Sequence, residues 1–525
     1  MMIAKIVSSA IIGVRAFPIT IEISVSKGIG YQVTGMVDES IKESLSRIGV
    51  ALEHCGYKMP RTKLLIHLSP ASIRKSGSAF DVPIALGILL ATGQITCAMD
   101  IARYNIAGEL GLDGAIKAIP GTLIRSELSV KEKYNGFILP AMNAAEAVLI
   151  PNSNILPVTH LHNVIEFIEG KISIEPAIKP SLITSSNNDD NDFKNVVGQE
   201  PVKRALEIAA AGGHHTLISG FPGTGKSMLA KCLPSILPAM NEREIIETTK
   251  INGLITHLPI RHLATARPFR EVHHSVSIAG LIGGGISASP GEITHAHNGV
   301  LFMDEFTECK TTVLESLRQP LEEKKVHLAR AGIKIEYPAA FMLVAAINPC
   351  LCGNLDHPIK KCTCSKRALF WHKRKLSGPI MDRFDLFAQT EVTGITDILQ
   401  PSTTNESSAV IAERVNRARI IQRERLGQHS SIRCNAELTH ELIQRFCVMD
   451  EHAAKFLSRS WNNIQLSMRG MDKVLKVART IADLAGTANI ELQHIAEALH
   501  YRENNYSLEA TAKQRNPGKV FSLKN

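Results

Sequence analysis

The chain has 525 residues, a length that accommodates two to four domains, and 44% of its residues are hydrophobic, enough for substantial buried cores. Its 59 lysines and arginines outnumber its 50 acidic residues, and the net charge of +9 favours a polyanionic partner such as nucleic acid. No apolar run reaches the roughly 18 residues that span a bilayer, and the ten unevenly spread cysteines are not a secreted disulfide framework, so we expect a cytoplasmic protein with no membrane partner.

Residues 1–172 are predicted to form an α+β domain, because short β-rich runs are mixed with helical ones. The N-terminal apolar stretch lacks a signal-peptide cleavage pattern and leads into a strand-like alternation over 19–25, so we expect the first strand of a folded domain. Apolar spacing predicts a helix over Val37–Cys55, and strands are predicted over Lys63–Leu68 and Asn105–Leu110.

Three further segments complete the predicted organisation. Residues 173–192 are predicted to be a linker, because the stretch 181–192 is polar and lacks core-forming residues. Residues 193–392 alternate strand and helix patterns in the manner of a parallel α/β sheet. Residues 393–525 are predicted to form an all-α domain, with helical patterning from Ala409 to Arg502 and a loose basic tail.

The strongest motif begins where a predicted strand, Thr216–Ser219, meets a predicted helix, Met228–Leu233. It matches the phosphate-binding pattern G-x-x-x-x-G-K-S at every required position. Its glycines allow backbone N–H groups to surround phosphate oxygens, and its lysine is expected to contact the β- and γ-phosphates of ATP. The predicted ATP-binding residues of this loop are Gly220, Phe221, Pro222, Gly223, Thr224, Gly225, Lys226 and Ser227.

Two later apolar strands also end in polar side chains. The run Gly299–Met303 is followed by Asp304 and Glu305, and the run Phe341–Ile347 is followed by Asn348. Ligands bind at the carboxyl ends of parallel strands, so these residues are expected near the phosphates. Asp304 would hold Mg²⁺ together with Ser227, Glu305 would polarise the attacking water, and Asn348 would sense the γ-phosphate or hold the water.

These three motifs, in this order and at this spacing, resemble those of AAA+ ATPases. The resemblance implies that Arg383, in the string MDRFD, is an arginine finger that acts on the ATP of a neighbouring subunit, and therefore implies a ring. It implies that Arg469 is a second sensor, with Arg479 on the same helix as a less favoured alternative, and that Gln199 contacts the nucleotide. A surface salt bridge is the simpler alternative for Arg383 and Arg469.

The whole chain resembles the ComM/YifB family of magnesium-chelatase-like AAA+ proteins. The resemblance is carried by KRALEIAAAGGH at 203–214, NPCLCG at 348–353, SGP at 377–379 and VARTIADL at 477–484, among other strings. It implies an ATP- and Mg²⁺-dependent hexameric motor that acts on DNA, a helicase that drives branch migration during natural transformation. The alternatives are a chelatase-type motor, whose subunits we expect to lack a comparable N-terminal domain, and an ATP-dependent assembly scaffold.

A basic hairpin is predicted over Glu322–Tyr337, at the place where related AAA+ proteins have a pore hairpin. Its cations would contact DNA phosphates without reading sequence; they are Lys324, Lys325, His327, Arg330 and Lys334. A solvated charged hairpin is the alternative. The segment Gly253–Gly291 is expected to be an insertion that also faces the pore, and its His273 and His274 are given a structural or pore role.

The N-terminal domain resembles the Lon-protease-like fold, which is related to a ribosomal S5 domain, through GSAFDVP at 77–83 and GELGLDG at 108–114. A Ser–Lys dyad is the basis of Lon catalysis. Ala79 and Leu123 occupy the serine and lysine positions here, and Ser78 has no suitably placed lysine. Protease activity is therefore not expected, and the domain is interpreted as a binding or assembly module.

Four cysteines cluster just after Asn348. Two C-x-C pairs, nine residues apart, supply Cys350, Cys352, Cys362 and Cys364, a set that suits tetrahedral Zn²⁺ in a structural role. The neighbouring His357 is a candidate substitute ligand, and four reduced thiols are the alternative.

Overall fold

The computed structural model describes residues 3–179, 191–255, 263–285, 288–330, 333–376, 378–392, 405–427, 432–464 and 467–502. Most of the predicted linker, from residue 180 to residue 190, lies outside these ranges. The described residues form a mixed α/β protein with an N-terminal sheet, a parallel core sheet and a helical C-terminal region, which agrees with the predicted fold class.

The N-terminal region is a seven-stranded mixed sheet with helices packed on it. Its strands are β1 Ile3–Ile12, β2 Arg15–Ser26, β3 Gly30–Thr34, β4 Lys63–Ser69, β5 Tyr104–Ile106, β8 Gly136–Pro140 and β9 Ile155–Val158, and a separate ribbon contains β6 Glu109–Leu110 and β7 Ile116–Lys117. Its helices are α1 Glu39–His54, α2 Asp81–Ala91, α3 Thr122–Lys131, α4 Ala144–Ala147 and α5 Leu161–Ile168. The strand order in the sheet is β3-β4-β2-β1-β5-β8-β9.

The prediction of a single strand over Asn105–Leu110 is wrong. The chain leaves the sheet at Ala107 and Gly108, and the next two residues pair with β7 instead. At Gly108 a Cβ atom would lie 3.0 Å from the side chains of Ile116 and Val82, so the backbone approaches α2 too closely for any larger residue to fit without a shift of its neighbours.

The core is a five-stranded parallel sheet in the order β11-β14-β17-β10-β18. Its strands are β10 Thr216–Ser219, β11 Phe269–Val272, β14 Val300–Met303, β17 Met342–Ile347 and β18 Leu386–Gln389. The neighbouring elements are α6 Glu200–Gly212, α7 Lys226–Cys232, α8 Glu242–Ile255, α9 Ile278–Ile282, β12 Gly283–Gly284, β13 Ser289–Pro290, α10 Glu292–His295, α11 Thr311–Ser316, α12 Arg318–Glu323, α13 Lys366–Lys375 and α14 Gly378–Met381. The central strands are buried on both faces, as their uninterrupted apolar sequences require.

Two predictions about this region need correction. The segment Gly253–Gly291, expected to be an insertion facing a pore, contains β11, which is an edge strand of the core sheet and pairs with β14. The basic hairpin is present as β15 Lys325–Arg330 and β16 Ile333–Pro338, but Glu322 lies in helix α12, which ends at Glu323, instead of starting the hairpin. The turn residues 331–332 lie outside the described ranges.

The C-terminal region is helical in the described ranges, as predicted. Its helices are α15 Ser408–Leu426, α16 His440–Phe446, α17 Glu451–Ile464, α18 Met468–Ala485 and α19 Leu492–His500. Helix α18 places Val474, Val477, Ala478 and Ile481 at helical spacing on one buried face. This face shares one apolar core with α6 and α15, so the helical region is attached directly to the nucleotide-binding sheet.

The N-terminal region also packs on the motor core. Leu123, Leu149 and Ile150 form a small apolar cluster with Ile246 of α8. Beside this cluster, Lys250 Nζ lies 2.7 Å from the Glu127 carboxylate. No helix in the described ranges is both long and apolar enough to cross a membrane.

Candidate nucleotide site

The candidate site lies where three neighbouring parallel strands end. Ser219 at the end of β10 pairs with Ile347 at the end of β17, and Met303 at the end of β14 pairs with Ala345. The phosphate-binding loop, the Asp304–Glu305 pair and Asn348 therefore leave the sheet at the same edge. This is the arrangement that the sequence motifs predict.

The loop from Gly220 to Ser227 is shaped to expose backbone N–H groups. Gly225 has φ of +85°, a conformation that favours glycine, and it is the N-cap of α7. The Thr224 hydroxyl lies 2.7 Å from the Thr390 hydroxyl at the end of β18, and this contact fixes one side of the loop. The helix N-terminus adds partial positive charge where phosphates are expected.

Lys226 joins the loop to the third motif. Its ammonium donates to the carbonyl oxygens of Gly220 and Phe221, each at 2.8 Å, and to Asn348 Oδ1 at 3.1 Å. Burial lowers the pKa of Lys226, while the negative charges of Asp304 and Glu305 act in the opposite direction. The lysine thus lies between the loop and the residue predicted to act as a sensor.

The Ser227 hydroxyl donates to Asp304 Oδ2 at 2.5 Å, and the other oxygen of Asp304 accepts from the Glu305 N–H at 2.8 Å. A hydroxyl and a carboxylate are hard oxygen donors, and protein sites for Mg²⁺ contain one or two carboxylates with the remaining positions left to water and phosphate. The two residues predicted to bind Mg²⁺ therefore suit the ion in chemistry and in position.

Glu305 begins a turn in the left-handed region, with φ of +48°, and its half-exposed carboxylate lies 2.9 Å from His274 Nδ1. The contact follows from the register of the sheet. Val272 of β11 pairs with Met303 of β14, and His274 and Glu305 each lie two residues further along. The expectation of a structural or pore role for His274 did not include this contact, because the sequence does not reveal that β11 is the neighbour of β14.

Gln199 lies beside the loop and not in it. Its side-chain amide donates to the carbonyl oxygen of Glu391 at 2.8 Å and accepts from the N–H of the same residue at 3.0 Å. Residue 391 follows Thr390, which contacts the phosphate-binding loop. Gln199 thus supports the wall of the site, and a direct contact of its side chain with nucleotide remains a prediction.

Arg383 lies at the opposite edge of the sheet. It lines a cavity of about 260 Å³ together with residues at the amino ends of the strands, among them His215 and Met342. Its guanidinium forms an ion pair with Glu322 and donates to the carbonyl oxygen of Pro379. The six-residue strand β17 is about 20 Å long, so the structure does not bring Arg383 to the loop of its own chain.

The two candidate sensor arginines on α18 have different environments. Arg469 is exposed in the first turn of the helix. Arg479 is 1% exposed, donates to Asp483 and to the carbonyl oxygens of Thr487 and Ala488, and is part of the helical core. Arg479 is therefore a structural residue, and Arg469 is the better candidate.

The four cysteines after Asn348 converge in space. The Sγ atom of Cys350 lies 3.4 Å from that of Cys352 and 3.7 Å from that of Cys362, and Cys352 and Cys362 are 3.6 Å apart. Sulfur atoms around a tetrahedral zinc ion lie about 3.8 Å apart, because Zn–S distances are about 2.3 Å. Cys364 completes a cluster that could hold zinc, and backbone N–H groups of Asn354 and Thr363 lower the pKa of Cys352 to about 5.

The cysteine loop packs on the phosphate-binding loop. His357, predicted as a substitute ligand, is not in the cysteine cluster; its ring lies edge-on to Phe221 with ring centroids 4.6 Å apart. At Gly353 a Cβ atom would lie 2.3 Å from Pro222, so only glycine permits this close approach. A metal in the cysteine cluster would therefore stabilise one wall of the nucleotide site.

The predicted DNA contacts on the hairpin are mostly paired with acids. Lys324 Nζ lies 2.8 Å from Glu437 of the helical region, and Lys325 Nζ lies 3.4 Å from Glu336 on the facing strand. Lys334 is exposed, and the side chain of Arg330 lies outside the described part of the chain. The free positive charge of the hairpin is therefore smaller than its sequence suggests.

The positions that correspond to the Lon dyad are occupied by Ala79 and Leu123, and both side chains are buried. Ser78 donates a hydrogen bond to the Glu109 carboxylate, and the buried ammonium of Lys75 donates to backbone carbonyl oxygens of Gly35, Leu68 and Pro70. Leu123, in place of a lysine, packs towards the motor core. The absence of Ser–Lys protease activity stays a prediction.

Comparisons with known proteins cover almost the whole chain. A family model described as magnesium chelatase, subunit ChlI, matches residues 192–398, its C-terminal counterpart matches 405–502, and a model described as subunit ChlI of Mg-chelatase matches 21–143. The last match means that the N-terminal domain does not by itself distinguish this chain from chelatase-type motors, contrary to our expectation.

The chain is 38% identical over 506 residues to the competence protein ComM of Haemophilus influenzae, covering 96% of this chain and 98% of that protein. It is 38% identical over 503 residues to the YifB protein of Salmonella typhimurium, covering 96% and 97% of the two chains. A magnesium-chelatase subunit ChlI homolog of Methanocaldococcus jannaschii is 23% identical over 58% of this chain and 82% of its own length.

We predict that the purified full-length chain binds one zinc ion in the cysteine cluster. Loss of this zinc ion is expected to raise the KM for ATP severalfold, because the cluster supports Pro222 and Phe221. Metal content and ATPase kinetics of a Cys352→Ser/Cys364→Ser variant test this, with Cys97→Ser, an exposed cysteine elsewhere, as the control. Equal zinc content in the double variant and the parent would contradict the prediction.

Proposed function

The chain belongs to the ComM/YifB family of magnesium-chelatase-like AAA+ ATPases, and from this premise we propose that it is a hexameric motor that uses ATP hydrolysis to move DNA. The observation that carries the proposal is the convergence of Lys226, Ser227, Asp304, Glu305 and Asn348 at one edge of a parallel sheet. These are the groups that phosphoryl transfer from ATP to water requires.

Each residue has a role that follows from its position. Lys226 exchanges its bonds to loop carbonyls for the β- and γ-phosphates, and Asn348, which already contacts its ammonium, is placed to sense the γ-phosphate. Ser227 and Asp304 would hold Mg²⁺, which supplies neutralisation of phosphate charge when bound. Glu305 orients and polarises the attacking water, and His274 positions its carboxylate.

The position of Arg383 is an argument for the proposed ring of subunits. Its position at the amino ends of the strands separates it from the nucleotide of its own chain and leaves it available to the nucleotide of a neighbour. The guanidinium would leave Glu322 to stabilise charge that develops on the γ-phosphate. Arg469 would complete the site as a second sensor.

The DNA substrate is supported by three observations. One of the relatives that are 38% identical over almost the full length is named a competence protein. The net charge of +9 favours a polyanion. The hairpin β15–β16 projects Lys334 into solvent, and its paired lysines can exchange carboxylates for phosphates. We therefore favour a helicase that drives branch migration of recombination intermediates.

A chelatase-like motor that remodels a protein partner or drives metal insertion is the second candidate. The observation in its favour is that matches to chelatase subunit models extend over three segments, including 21–143. The two candidates share the nucleotide chemistry and differ in what stimulates it.

We predict that Glu305→Gln preserves ATP binding and lowers kcat by about 10²- to 10⁴-fold, because the amide cannot polarise water as a base does. Steady-state hydrolysis and equilibrium binding of a fluorescent ATP analogue measure the two quantities. His274→Ala, which removes only the positioning contact, is expected to reduce kcat less. Turnover of the Glu305 variant at the parental rate would show that another residue is the base.

Arg383→Ala should reduce ATP hydrolysis by about 10³-fold while leaving the affinity for ATP near that of the parent, because an arginine finger acts on the transition state. The decisive experiment mixes this variant with Glu305→Gln. If Arg383 acts on the neighbouring subunit, mixed rings contain some intact sites and recover activity. Loss of ATP affinity in Arg383→Ala, with no recovery on mixing, would place the arginine in the site of its own chain.

The ATPase rate should rise several-fold on adding DNA, most strongly with branched DNA, and the rise should disappear at high salt because phosphate contacts release counterions. Rates with branched, single-stranded and duplex DNA at two salt concentrations test this. A rate indifferent to all three DNAs, but stimulated by a porphyrin-binding protein partner, would favour the chelatase-like alternative.

A further inference from the structure

The positive charge of the chain is concentrated in one segment. Between His357 and Met381 there are seven basic residues and no acidic one: Lys360, Lys361, Lys366, Arg367, Lys373, Arg374 and Lys375. Once these seven are set aside, 52 basic residues face 50 acidic ones in the rest of the chain. Five of the seven belong to helix α13. The excess of basic over acidic residues, which first suggested a polyanionic partner, therefore comes largely from this segment.

Helix α13 also exposes two large aromatic side chains. Phe370 and Trp371 are 47% and 53% exposed, and their ring centroids lie 5.7 Å apart at an angle of 77°. The guanidinium carbon of Arg374 lies 5.8 Å from the first ring centroid and 5.5 Å from the second. An exposed apolar patch that is surrounded by cations marks an interaction site.

The opposite side of the helix explains why the aromatic rings face outward. His372 is buried, and its Nε2 lies 3.0 Å from the backbone carbonyl oxygen of Asn348. The buried Leu376 lies four residues further on. These contacts fix the rotation of α13, so Phe370 and Trp371 cannot enter the core without breaking them. The same helix is thereby attached to the end of β17 in the nucleotide site.

A partner for this surface must be negatively charged and must present flat faces. Single-stranded nucleic acid has both properties, because its phosphates attract the cations while its unpaired bases stack on aromatic rings and on arginine. The bases of an intact duplex are already stacked on one another and are not available. A second copy of this chain is the other candidate occupant, and the sedimentation measurement below tests it.

We propose that the α13 surface, defined as Phe370, Trp371 and Arg374 with Lys366 and Arg367, is a stacking site for unpaired bases of single-stranded nucleic acid. The inference rests on the proposed DNA function and adds to it a contact that stacks on bases, separate from the phosphate contacts of the hairpin. Such a site would hold the strand that is exposed when a duplex is opened.

The chain contains only two tryptophans, which makes Trp371 a local probe. In a full-length Trp461→Phe variant, the fluorescence of Trp371 reports on the α13 surface alone. Titration with a 20-nucleotide oligo-dT should quench this fluorescence, and titration with a blunt duplex of the same length should leave it nearly unchanged. Quenching by the duplex as strongly as by oligo-dT would contradict stacking on unpaired bases.

Affinity for oligo-dT gives a second measurement. Phe370→Ala/Trp371→Ala should weaken binding, measured by fluorescence anisotropy of labelled oligo-dT, by at least tenfold, as expected for the loss of one or two stacked bases. Tyr31→Ala, which removes an aromatic ring that is 49% exposed in the N-terminal region, is the matched control and should have no effect. Circular dichroism and ATP affinity of each variant verify that folding is retained.

The outcomes separate this inference from the proposed function. One outcome is that the parent binds oligo-dT while Trp371 fluorescence does not change and the double alanine variant keeps the parental affinity. That result would refute the stacking site and leave the proposed DNA motor unaffected. If the double variant changes the sedimentation of the protein but not its affinity for DNA, the surface is a contact between subunits and the inference fails. If no DNA binds to the protein or stimulates its ATP hydrolysis in any assay, the proposed DNA function and this inference are both refuted.

Discussion

The parallel pairing of β10, β14 and β17 is the constraint on which the rest of this protein depends. Because the hydrogen bonds align the carboxyl ends of these strands, residues about 80 to 120 positions apart in the chain meet at one edge of the sheet. The contact of Lys226 with Asn348 and that of Ser227 with Asp304 both result from this alignment. A shift of one residue in either pairing would separate them and reverse the side chains of the strands.

The same sheet gives the molecule two chemically different edges. The carboxyl edge holds the phosphate-binding loop, and the amino edge holds Arg383 among basic residues of the core and the helical region. Within the chain Arg383 forms an ion pair with Glu322, and its distance from the phosphate-binding loop is the reason that its proposed role is on a neighbouring subunit. The elements around the sheet support this arrangement: the cysteine loop packs on Pro222, and α18 packs on α6.

The N-terminal region resembles the Lon-protease-like fold in sequence but has aliphatic side chains at the positions of the catalytic dyad. The positions that would carry a Ser–Lys dyad are occupied by Ala79 and Leu123, and both side chains are buried. Leu123 belongs to the small apolar cluster that contacts Ile246 of the motor core. An aliphatic side chain is suited to such a contact, whereas burial of a lysine there would carry the cost of desolvating its charge. The described contacts of this domain with the motor core are consistent with its predicted role as a binding or assembly module.

Much of the candidate site was determined by the sequence alone, because short motifs fix both the local backbone and the chemistry. The glycines before Lys226 and the apolar runs before Asp304 and Asn348 predicted the loop and the strand ends, and the spacing of the cysteines predicted their cluster. The sequence did not reveal which strands are neighbours. The contact of His274 with Glu305, the place of β11 in the sheet and the pairing of the hairpin lysines with Glu336 and Glu437 were decided by the tertiary structure. The physical reason is that a motif depends on residues close together in the chain, whereas these contacts depend on strand order and packing between distant segments.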